Sequence, residues 1–430
     1  MRHKIVDKQL FKKNRNKLIK KIKFNSLVII NSNDEMPRNG DQNFPFRQNS
    51  DLFYLTGLEQ EKCILCLCPQ HADETKREIV FTLKPDKKTE IWYGHKYNKE
   101  EITEISSVKT VLWLDDFDET LKNLMLNFRN IYFNQNENPK FTSEVPSKDL
   151  RFAKEIKGKY PFHNYQSIAP ILTELRLVKE PEEIELMKTA CEITAKAFDR
   201  VLKFVKPELM EFEVEAEITN EYIRKGANGH AYLPIVASGK SACVLHYIDN
   251  DKKCKDGDLL LMDFGAEYGN YAADCSRTIP VNGKFNERQK QCYNAVLRVF
   301  KQTKELFVPG NSIDKINNDV NKLMEKEMIE LGLFSKEDVE NQEIGSPMYF
   351  NYYMHGTSHF LGLDVHDVGA KNTKFKKGMV LTCEPSIYIE EEGIGIRIEN
   401  DIMVDEKPID LMKDIPVEIE EIEKIMNSYK

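Results

Sequence analysis

The chain has 430 residues, of which 41% are hydrophobic and 31% are charged, and this length is enough for two domains that each bury a core. Its net charge of −8 argues against a nucleic-acid partner and against an anionic membrane surface, because both bind basic protein surfaces. The sequence contains no apolar stretch of about eighteen residues and no apolar signal segment, so we expect a cytoplasmic protein with no membrane partner.

The first part of the chain alternates short β-rich runs with helical ones from Ser26 to about Ser167. The β-rich runs are SLVIINS, KCILCLCP, EIVFTL and NIYFN, and a helical run is ETLKNLMLNF. This alternation predicts an α/β domain with a mixed sheet. The nine cysteines of the chain predict reduced thiols rather than a disulfide framework. Three of them, Cys63, Cys66 and Cys68, lie among apolar residues and indicate a buried strand rather than a metal knuckle.

The middle of the chain reads as helix and strand. Pro181, Glu182 and Glu183 are typical of a first helical turn, and apolar residues then recur at helical spacing from Ile184 to Val205. A second helix is predicted at about 211–225, followed by the strand LPIVASG and the segment VLHYIDND, which contains His246. Further on we predict helices at about 286–307 and 313–331, and a terminal amphipathic helix in PVEIEEIEKIMNSYK.

Two acidic segments each read as an apolar strand, a glycine-bearing turn and a second strand. They are LLLMDFGAEYGNYAADCSRTIP and MVLTCEPSIYIEEEGIGIRIENDIMV. If the first hairpin turns between Tyr268 and Gly269, Asp263 opposes Asp274. If the second turns just before Gly393, Glu384 opposes Glu399. Opposed side chains have Cβ atoms about 4.5–5.5 Å apart, so we predict two close carboxylate pairs.

These pairs favour a metal site. Bare carboxylates this close among apolar residues repel each other unless they are protonated or neutralised by a cation. If only one pair were present, two solvent-exposed acids that cap strand ends would be an adequate alternative to a metal site. Two pairs, together with His355, His359 and His366 in MHGTSHFLGLDVHDVG, are more typical of a metal site. An oxygen-rich set with one imidazole favours Mn²⁺, Fe²⁺ or Co²⁺, and four carboxylates are enough for two ions.

The order Asp263, Asp274, His359, Glu384, Glu399, with the motifs DFGAEYGNYAAD, SHFLGLDVHDVG and GIGIRIEND, closely resembles aminopeptidase P. This is the Xaa-Pro aminopeptidase branch of the pita-bread metallopeptidases, family M24B. The front motif FRQNSDLFYLTGLEQ is similar to the N-terminal domain of that family, so the resemblance covers nearly the whole chain. It implies a creatinase-like α/β domain over residues 1–170 and a pita-bread catalytic domain over 171–430. The second domain is of the α+β class, with a curved antiparallel sheet.

The resemblance also implies the activity and the metal ligands. The family hydrolyses the N-terminal Xaa-Pro bond of peptides by means of hydroxide held between two divalent ions. It prefers Mn²⁺ and commonly forms homodimers or homotetramers. By resemblance, Asp274 and Glu399 bridge the two ions, Asp263 holds one of them, and His359 and Glu384 hold the other.

Further roles follow from the same resemblance. Glu384 is the expected proton shuttle, and His246 is expected to stabilise the carbonyl oxygen as charge develops. His355 and His366 are expected to contact the substrate or the intermediate, and Arg397 to fix a carboxylate ligand. In the family, the positions of Asp51 and Trp92 lie near a substrate pocket, with the tryptophan reaching into a neighbouring subunit. A turn acid and an interface aromatic are equally good interpretations of these two residues.

Two alternatives are a proline dipeptidase with the same ligands and fold, and a non-catalytic binding module. Ser358 before the histidine ligand and Asp367 after His366 favour aminopeptidase P over the dipeptidase. The filled ligand positions argue against a binding module. The chain departs from the family pattern at Ser386, where the family often has glycine.

Overall fold

The computed structural model describes residues 3–428, which divide into two compact units. The first unit is Ile5–Arg176, and the second consists of Leu177 to the end of the described chain together with His3 and Lys4. The predicted domain boundary at residue 170 lies inside the helix Ala169–Leu177, whereas the compact units separate at the end of that helix. Where independently folding domains would separate stays a prediction.

The first unit is built on a six-stranded sheet, with the strands in the order β6-β5-β4-β1-β7-β8. Its strands are β1 Ser26–Asn31, β4 Ile64–Leu67, β5 Glu78–Thr82, β6 Thr110–Trp113, β7 Asn130–Phe133 and β8 Asn164–Ser167, and a small hairpin consists of β2 Pro37–Asn39 and β3 Gln42–Asn43. β4 pairs antiparallel with β1 and with β5, whereas the three other neighbouring pairs are parallel. The predicted mixed sheet is therefore confirmed.

Helices cover this sheet, as the complete burial of β1 requires. The helices of this unit are α1 Lys8–Ile19, α2 Ser50–Thr56, α3 Lys87–Tyr93, α4 Lys99–Ser106, α5 Phe117–Asn127, α6 Lys148–Lys159 and α7 Ala169–Leu177. Leu121 and Leu124 of α5 and Ile156 of α6 pack on strand residues such as Ile29 and Phe81. Cys63, Cys66 and Cys68 are buried free thiols, so the interpretation as a buried strand is confirmed.

The second unit is an antiparallel β structure with flanking helices. Its strands are β9 Gly229–His230, β10 Ile235–Ser238, β11 Leu259–Asp263, β12 Ala266–Tyr268, β13 Tyr271–Ala272, β14 Ser276–Pro280, β15 Val380–Cys383, β16 Ser386–Ile389, β17 Ile394–Arg397, β18 Asn400–Met403 and β19 Ile409–Asp410. Its helices are α8 Pro181–Phe204, α9 Glu211–Arg224, α10 Glu287–Lys304, α11 Ile313–Glu330, α12 Lys336–Glu340 and α13 Ile419–Asn427. The predicted helices all form, with ends within a few residues of the predicted ones.

The first acidic hairpin differs in register from the prediction. Its two-residue turn is Gly269-Asn270, with φ of 57° and 65°, and Tyr268 pairs with Tyr271 across it. A tight hairpin turn of this kind requires positive φ at both central residues, which glycine and asparagine adopt more readily than tyrosine. The turn therefore lies one residue later than predicted, and Asp263 opposes Ser276 instead of Asp274. The predicted opposition of Asp263 and Asp274 is wrong.

The second acidic hairpin has the predicted register. Ser386 pairs with Arg397 in one ladder, and Cys383 pairs with Asn400 in the next. Glu384 and Glu399 are in register with each other at the irregular step between these two ladders. Both carboxylates therefore lie where the sheet hydrogen bonding is interrupted and where side chains have room to converge.

Within residues 3–428, no helix is both long enough and apolar enough to cross a membrane.

We predict that Gly57→Ala destabilises the first unit more than Gly40→Ala does. Both glycines have positive φ, 69° and 55°, but a Cβ atom on Gly57 would lie 2.2 Å from Cε2 of Phe11, whereas one on Gly40 meets no atom within 4 Å. Left-handed backbone strain alone should cost Gly40→Ala about 1 kcal/mol, and overpacking should bring Gly57→Ala to about 3 kcal/mol. Urea denaturation of both variants measures the difference. Equal losses would mean that Phe11 moves aside without cost.

Candidate metal centre

Five residues nominated from the sequence converge in the second unit. Asp263 ends β11, Asp274 follows β13, His359 lies in a loop, and Glu384 and Glu399 lie at the step between the two ladders. Donor atoms of Asp274, His359 and Glu399 all lie within 4.8 Å of one another. Nε2 of His359 is 3.2 Å from Oδ2 of Asp274 and 3.7 Å from Oε1 of Glu384. Asp263 joins the cluster through the hydroxyl of Tyr232, which contacts both Asp263 and Asp274.

Backbone and side-chain contacts orient His359. Its main chain pairs with the neighbouring strand, because Thr382 N–H donates to the His359 carbonyl at 3.0 Å and His359 N–H donates to Thr382 Oγ1 at 3.1 Å. Nδ1 lies 3.0 Å from the Phe360 carbonyl oxygen. When Nδ1 carries the proton, Nε2 is left as a lone-pair donor facing the carboxylates, which is the usual arrangement of a metal-binding histidine.

Arg397 is the main cation beside the acids. Its guanidinium donates to Asp263 Oδ2 at 2.6 Å, to Ser276 Oγ at 2.7 Å and to the Tyr388 hydroxyl at 2.7 Å. Ser276 Oγ in turn donates to Glu399 Oε2 at 2.6 Å. Arg397 therefore orients Asp263 directly and Glu399 through Ser276. Arg397 ends β17, and Glu399 lies between β17 and β18, so the two residues are on either side of the step in the sheet.

Tyr232 is a site residue that the sequence interpretation missed. Its hydroxyl lies 2.5 Å from Oδ1 of Asp263 and 2.5 Å from Oδ1 of Asp274. One hydroxyl hydrogen serves one acceptor at a time, so the second contact is favourable when a proton or a cation is shared between the two acids. Tyr232 lies outside both acidic hairpins, in the loop between β9 and β10, and no residue pattern marked it.

Asp401 was missed as well, although it is only two residues beyond Glu399. It is fully buried, and its Oδ2 accepts the Asp274 N–H at 3.2 Å and the Cys191 thiol at 3.3 Å. Burial raises the pKa of Asp401 well above its ordinary value, and the charge of Asp274 adds to the rise. Asp401 therefore helps to fix the backbone of Asp274.

Crowding and burial disfavour the charged state of the cluster. Burial raises the pKa of Asp263 to about 6 against the opposing charge of Arg397, and Asp274 adds to the rise. Burial likewise raises the pKa of Glu399 well above its ordinary value, with further contributions from Asp274 and Glu384. Burial therefore favours the protonated forms of these acids, and a bound cation would favour the ionised forms.

His359 and Glu384 are perturbed in a related way. Burial raises the pKa of Glu384 to about 7, although the attraction of His359 opposes the rise. Burial disfavours the charged form of His359, but the hydrogen bond to Asp274 and the charge of Glu384 outweigh it and raise its pKa to about 9. The raised proton affinities of Asp263, Glu384, Glu399 and His359 fit a site for hard or borderline divalent cations, because such cations replace several protons at once.

The three other nominated histidines lie around the cluster. His355 Nε2 is 2.7 Å from Ser386 Oγ and 2.9 Å from the Tyr388 hydroxyl, and its Nδ1 is 3.8 Å from Glu384 Oε2. Burial lowers the pKa of His355 to about 4, with Arg397 and His246 as smaller causes. The ring of His366 stands perpendicular to that of His359, with the ring centroids 4.5 Å apart.

His246 has a different environment from the other site histidines. It is exposed and lies in a turn after the short 3₁₀ helix Gly239–Cys243. His246 is close enough to the buried His355 for the charge of its imidazole to lower the pKa of His355. Its imidazole is therefore exposed to solvent and near the cluster.

Asp51 and Trp92 belong to the first unit. Asp51 lies in the first turn of α2 and accepts hydrogen bonds from Arg176 Nη1 at 2.8 Å and from Asn134 Nδ2 at 3.0 Å. Arg176 is nearly fully buried, so Asp51 compensates a buried charge there. Trp92 is 75% exposed on α3, between Ile91 and Tyr93, which are 81% and 77% exposed. The Asp51 contacts support the interpretation as a turn acid, whereas the exposure of Trp92 is compatible with an interface aromatic and with a residue that reaches into a neighbouring subunit.

Comparisons with known proteins cover nearly the whole chain. Residues 185–406 match the model of metallopeptidase family M24, and residues 11–132 match that of the aminopeptidase P N-terminal domain. The chain is 35% identical to the Xaa-Pro aminopeptidase of Haemophilus influenzae over 433 residues, which is 98% of this chain and 97% of that protein. It is 35% identical to the Xaa-Pro aminopeptidase of Escherichia coli, with 98% of each chain covered. The structure of zinc-substituted E. coli aminopeptidase P in complex with product superposes with a TM-score of 0.89 and 32% identity, covering 99% of this chain and 100% of that one.

We predict that Tyr232→Phe weakens divalent metal binding by about 10- to 100-fold, because the hydroxyl that orients two carboxylates is lost. Metal competition against a fluorescent chelator measures the affinity. Tyr349→Phe is the matched control, since it removes a hydroxyl that accepts a hydrogen bond from Asn321 at 2.8 Å outside the cluster. Equal metal affinities for Tyr232→Phe and the wild type would show that the hydroxyl does not hold the acids.

Proposed function

The chain belongs to metallopeptidase family M24 and is a metal-dependent Xaa-Pro aminopeptidase, and on this premise we propose how its residues carry out the reaction. It combines an α/β aminopeptidase P N-terminal domain with a pita-bread metallopeptidase domain. The observation that carries the proposal is the cluster of four acids and His359 in the second unit.

The cluster would hold two divalent ions. The residues that would hold them are Asp263, Asp274, His359, Glu384 and Glu399. The proposal is supported by the close donor atoms of Asp274, His359 and Glu399, and by the separate orientation of Asp263 by Tyr232 and Arg397. The oxygen-rich donor set favours hard or borderline ions such as Mn²⁺, Fe²⁺ or Co²⁺, and we propose Mn²⁺ among them because the family prefers it. When bound, such ions acidify water and polarise a carbonyl group.

Glu384 is the proposed proton shuttle of the reaction. A group that takes a proton from water and passes it to the leaving nitrogen works best with a pKa near the working pH. Burial raises the pKa of Glu384 to about 7 in the cluster without metal, and a bound cation would lower it, so that the ionised carboxylate can take a proton from water. Its Oε1 accepts the Thr382 hydroxyl at 3.1 Å, so the carboxylate is oriented by its own strand.

Four further side chains have proposed roles around the scissile bond. His246 would donate to the carbonyl oxygen as negative charge develops, because it is exposed and its ring makes no hydrogen bond within residues 3–428. His355 and His366 would contact the peptide backbone or the intermediate. For His355, this requires exchange of a hydrogen bond with Ser386 or Tyr388. Arg397 would keep Asp263 in place rather than contact the substrate.

The substrates are peptides with proline at the second position. The Xaa-Pro amide has no N–H, and the proline ring fixes φ, so a peptidase that grips the scissile N–H cannot use it. Proline dipeptidases share the ligand set and the fold, and the length of the accepted peptide separates the two activities.

We predict that metal-stripped protein regains hydrolysis of a tripeptide Xaa-Pro-Yaa at the Xaa-Pro bond when Mn²⁺ is restored. Co²⁺ and Zn²⁺ should restore less activity, since Mn²⁺ is the proposed native ion. Asp263→Ala should remain inactive with any of the ions, because one ligand set is incomplete. Liquid chromatography of the released amino acid measures the cleavage.

The same assay separates the alternatives. Cleavage of the dipeptide Xaa-Pro alone would make the protein a dipeptidase. No cleavage of either peptide in metal-replete protein would favour a binding module.

We also propose a cytoplasmic location for the protein. The support is that all nine cysteines are free thiols, eight of them buried, as is usual in a reducing compartment. Recovery of the native protein in the periplasmic or secreted fraction of its cells would contradict this.

The proposed assembly is a homodimer or a homotetramer. The exposed Ile91, Trp92 and Tyr93 on α3 support it, since adjacent large apolar side chains are enriched at protein interfaces. We predict that light scattering on the purified protein gives two or four times the chain mass of 50.1 kDa. Trp92→Ala should shift the distribution towards smaller species. A single-chain mass for the wild type at micromolar concentration would contradict the proposal.

A further inference from the structure

We propose that Glu211 and Tyr247 are positioning residues that hold His246 in place for the reaction. The inference rests on the proposed role of His246, and it adds a device that sets where this histidine lies. Glu211 and Tyr247 are far from the metal ligands in sequence, and neither belongs to the cluster described above.

Glu211 is a fully buried carboxylate with four hydrogen-bond donors around it. Its Oε1 accepts the backbone N–H and the hydroxyl of Ser238, both at 2.7 Å. Its Oε2 accepts the Tyr247 hydroxyl at 2.8 Å and the Lys252 N–H at 2.9 Å. The Glu211 N–H also donates to the Lys252 carbonyl at 2.9 Å. A carboxylate has about four lone-pair sites, so the acceptor capacity of Glu211 is filled.

These contacts join two parts of the site. Ser238 is the last residue of β10, which pairs with β11, the strand that ends at Asp263. Tyr247 directly follows His246, and Lys252 closes the same loop. The side chain of Glu211 therefore ties the His246 loop to a strand beside the metal ligands.

Glu215, which lies one helical turn after Glu211 on α9, also holds the His246 loop. Asn250 is 2% exposed and has a left-handed φ of 48°. Its Nδ2 donates to Glu215 Oε2 at 2.9 Å and to the Pro234 carbonyl at 3.0 Å, and its Oδ1 accepts the Val236 N–H at 2.9 Å. The loop is thus held at Tyr247, Asn250 and Lys252.

His246 depends on this support because its own ring contributes little. In the part of the chain that the structure describes, the imidazole makes no hydrogen bond, and the residue is exposed. Its neighbour Tyr247 is buried and belongs to an apolar cluster with Ala242, Leu261 and Tyr388. Tyr388 contacts both His355 and Arg397. Tyr247 is therefore fixed by its hydroxyl on Glu211 and by its ring beside the site.

A purely structural role for Tyr247 makes a different prediction from a positioning role. A structural residue alters folding or metal content, and its loss affects activity whether or not His246 is present. A positioning residue acts through His246, so its effect on kcat disappears when that imidazole is removed. A double-mutant cycle on the full-length, metal-loaded enzyme separates the two.

We expect Tyr247→Phe to lower kcat for the Xaa-Pro-Yaa tripeptide by about 5- to 20-fold with little change in KM, because a small misplacement of a catalytic group slows the chemical step. In the His246→Ala background the same change should have less than a twofold effect. Glu211→Gln should follow the same pattern with a larger loss, since its amide N–H₂ faces hydrogen-bond donors. It provides a second route if Tyr247→Phe folds poorly.

Tyr293→Phe is the matched control. Tyr293 lies in α10 and is, like Tyr247, a buried tyrosine. The change removes a hydroxyl that donates to the Val417 carbonyl at 3.0 Å. It should alter the unfolding midpoint as Tyr247→Phe does but leave kcat unchanged. Metal content and the unfolding midpoint are measured for every variant.

Two results would overturn the inference. The first is an unchanged kcat for Tyr247→Phe and Glu211→Gln in the His246 background. The second is an equal loss with and without His246. If His246→Ala alone retains full kcat, the proposed role of His246 fails and the positioning role fails with it. The Xaa-Pro aminopeptidase activity would be unaffected, because the tripeptide assay tests it independently.

Discussion

Mutual repulsion among buried carboxylates is the constraint on which the second unit depends. Four acids and an imidazole share a site that is largely shielded from water, and several of their pKa values are displaced from ordinary values by burial and by one another. Such an arrangement persists only if positive charge and hydrogen-bond donors compensate it. Divalent ions provide the largest compensation, and the protein provides the rest.

The contribution of the protein is a layer of side chains behind the acids. Arg397 donates to Asp263, Ser276 donates to Glu399, and Thr382 donates to Glu384. Arg397 and Ser276 lie on other strands than the acids that they orient, and Thr382 lies on the strand that leads into Glu384, so the strands themselves set the geometry. This layer keeps the oxygens converged, and it explains why the site lies at irregular steps of the sheet rather than in the middle of a ladder.

The groups of the site differ in how directly their side chains are held. The acids and His359 make contacts of their own, whereas His246 lies exposed on a turn that is held through its neighbours by Glu211. The peptide must enter, react and leave, so a site of this kind combines a rigid metal cluster with polar groups that can exchange hydrogen bonds with the substrate. His355 is held by the hydroxyls of Ser386 and Tyr388, so it has fewer restraints than the metal ligands and more than His246.

The sequence by itself determined the mixed sheet, the long helices, the residues of the acidic cluster and the register of the second hairpin, because these follow from local periodicity and from ordered motifs. Only the tertiary structure decided the register of the first hairpin, where the demand for positive φ at Gly269-Asn270 moved the turn by one residue. It alone also revealed Tyr232, Asp401 and Glu211, whose partners lie 27 or more residues away in the chain. Such contacts have no sequence period, because they arise when separate elements pack together.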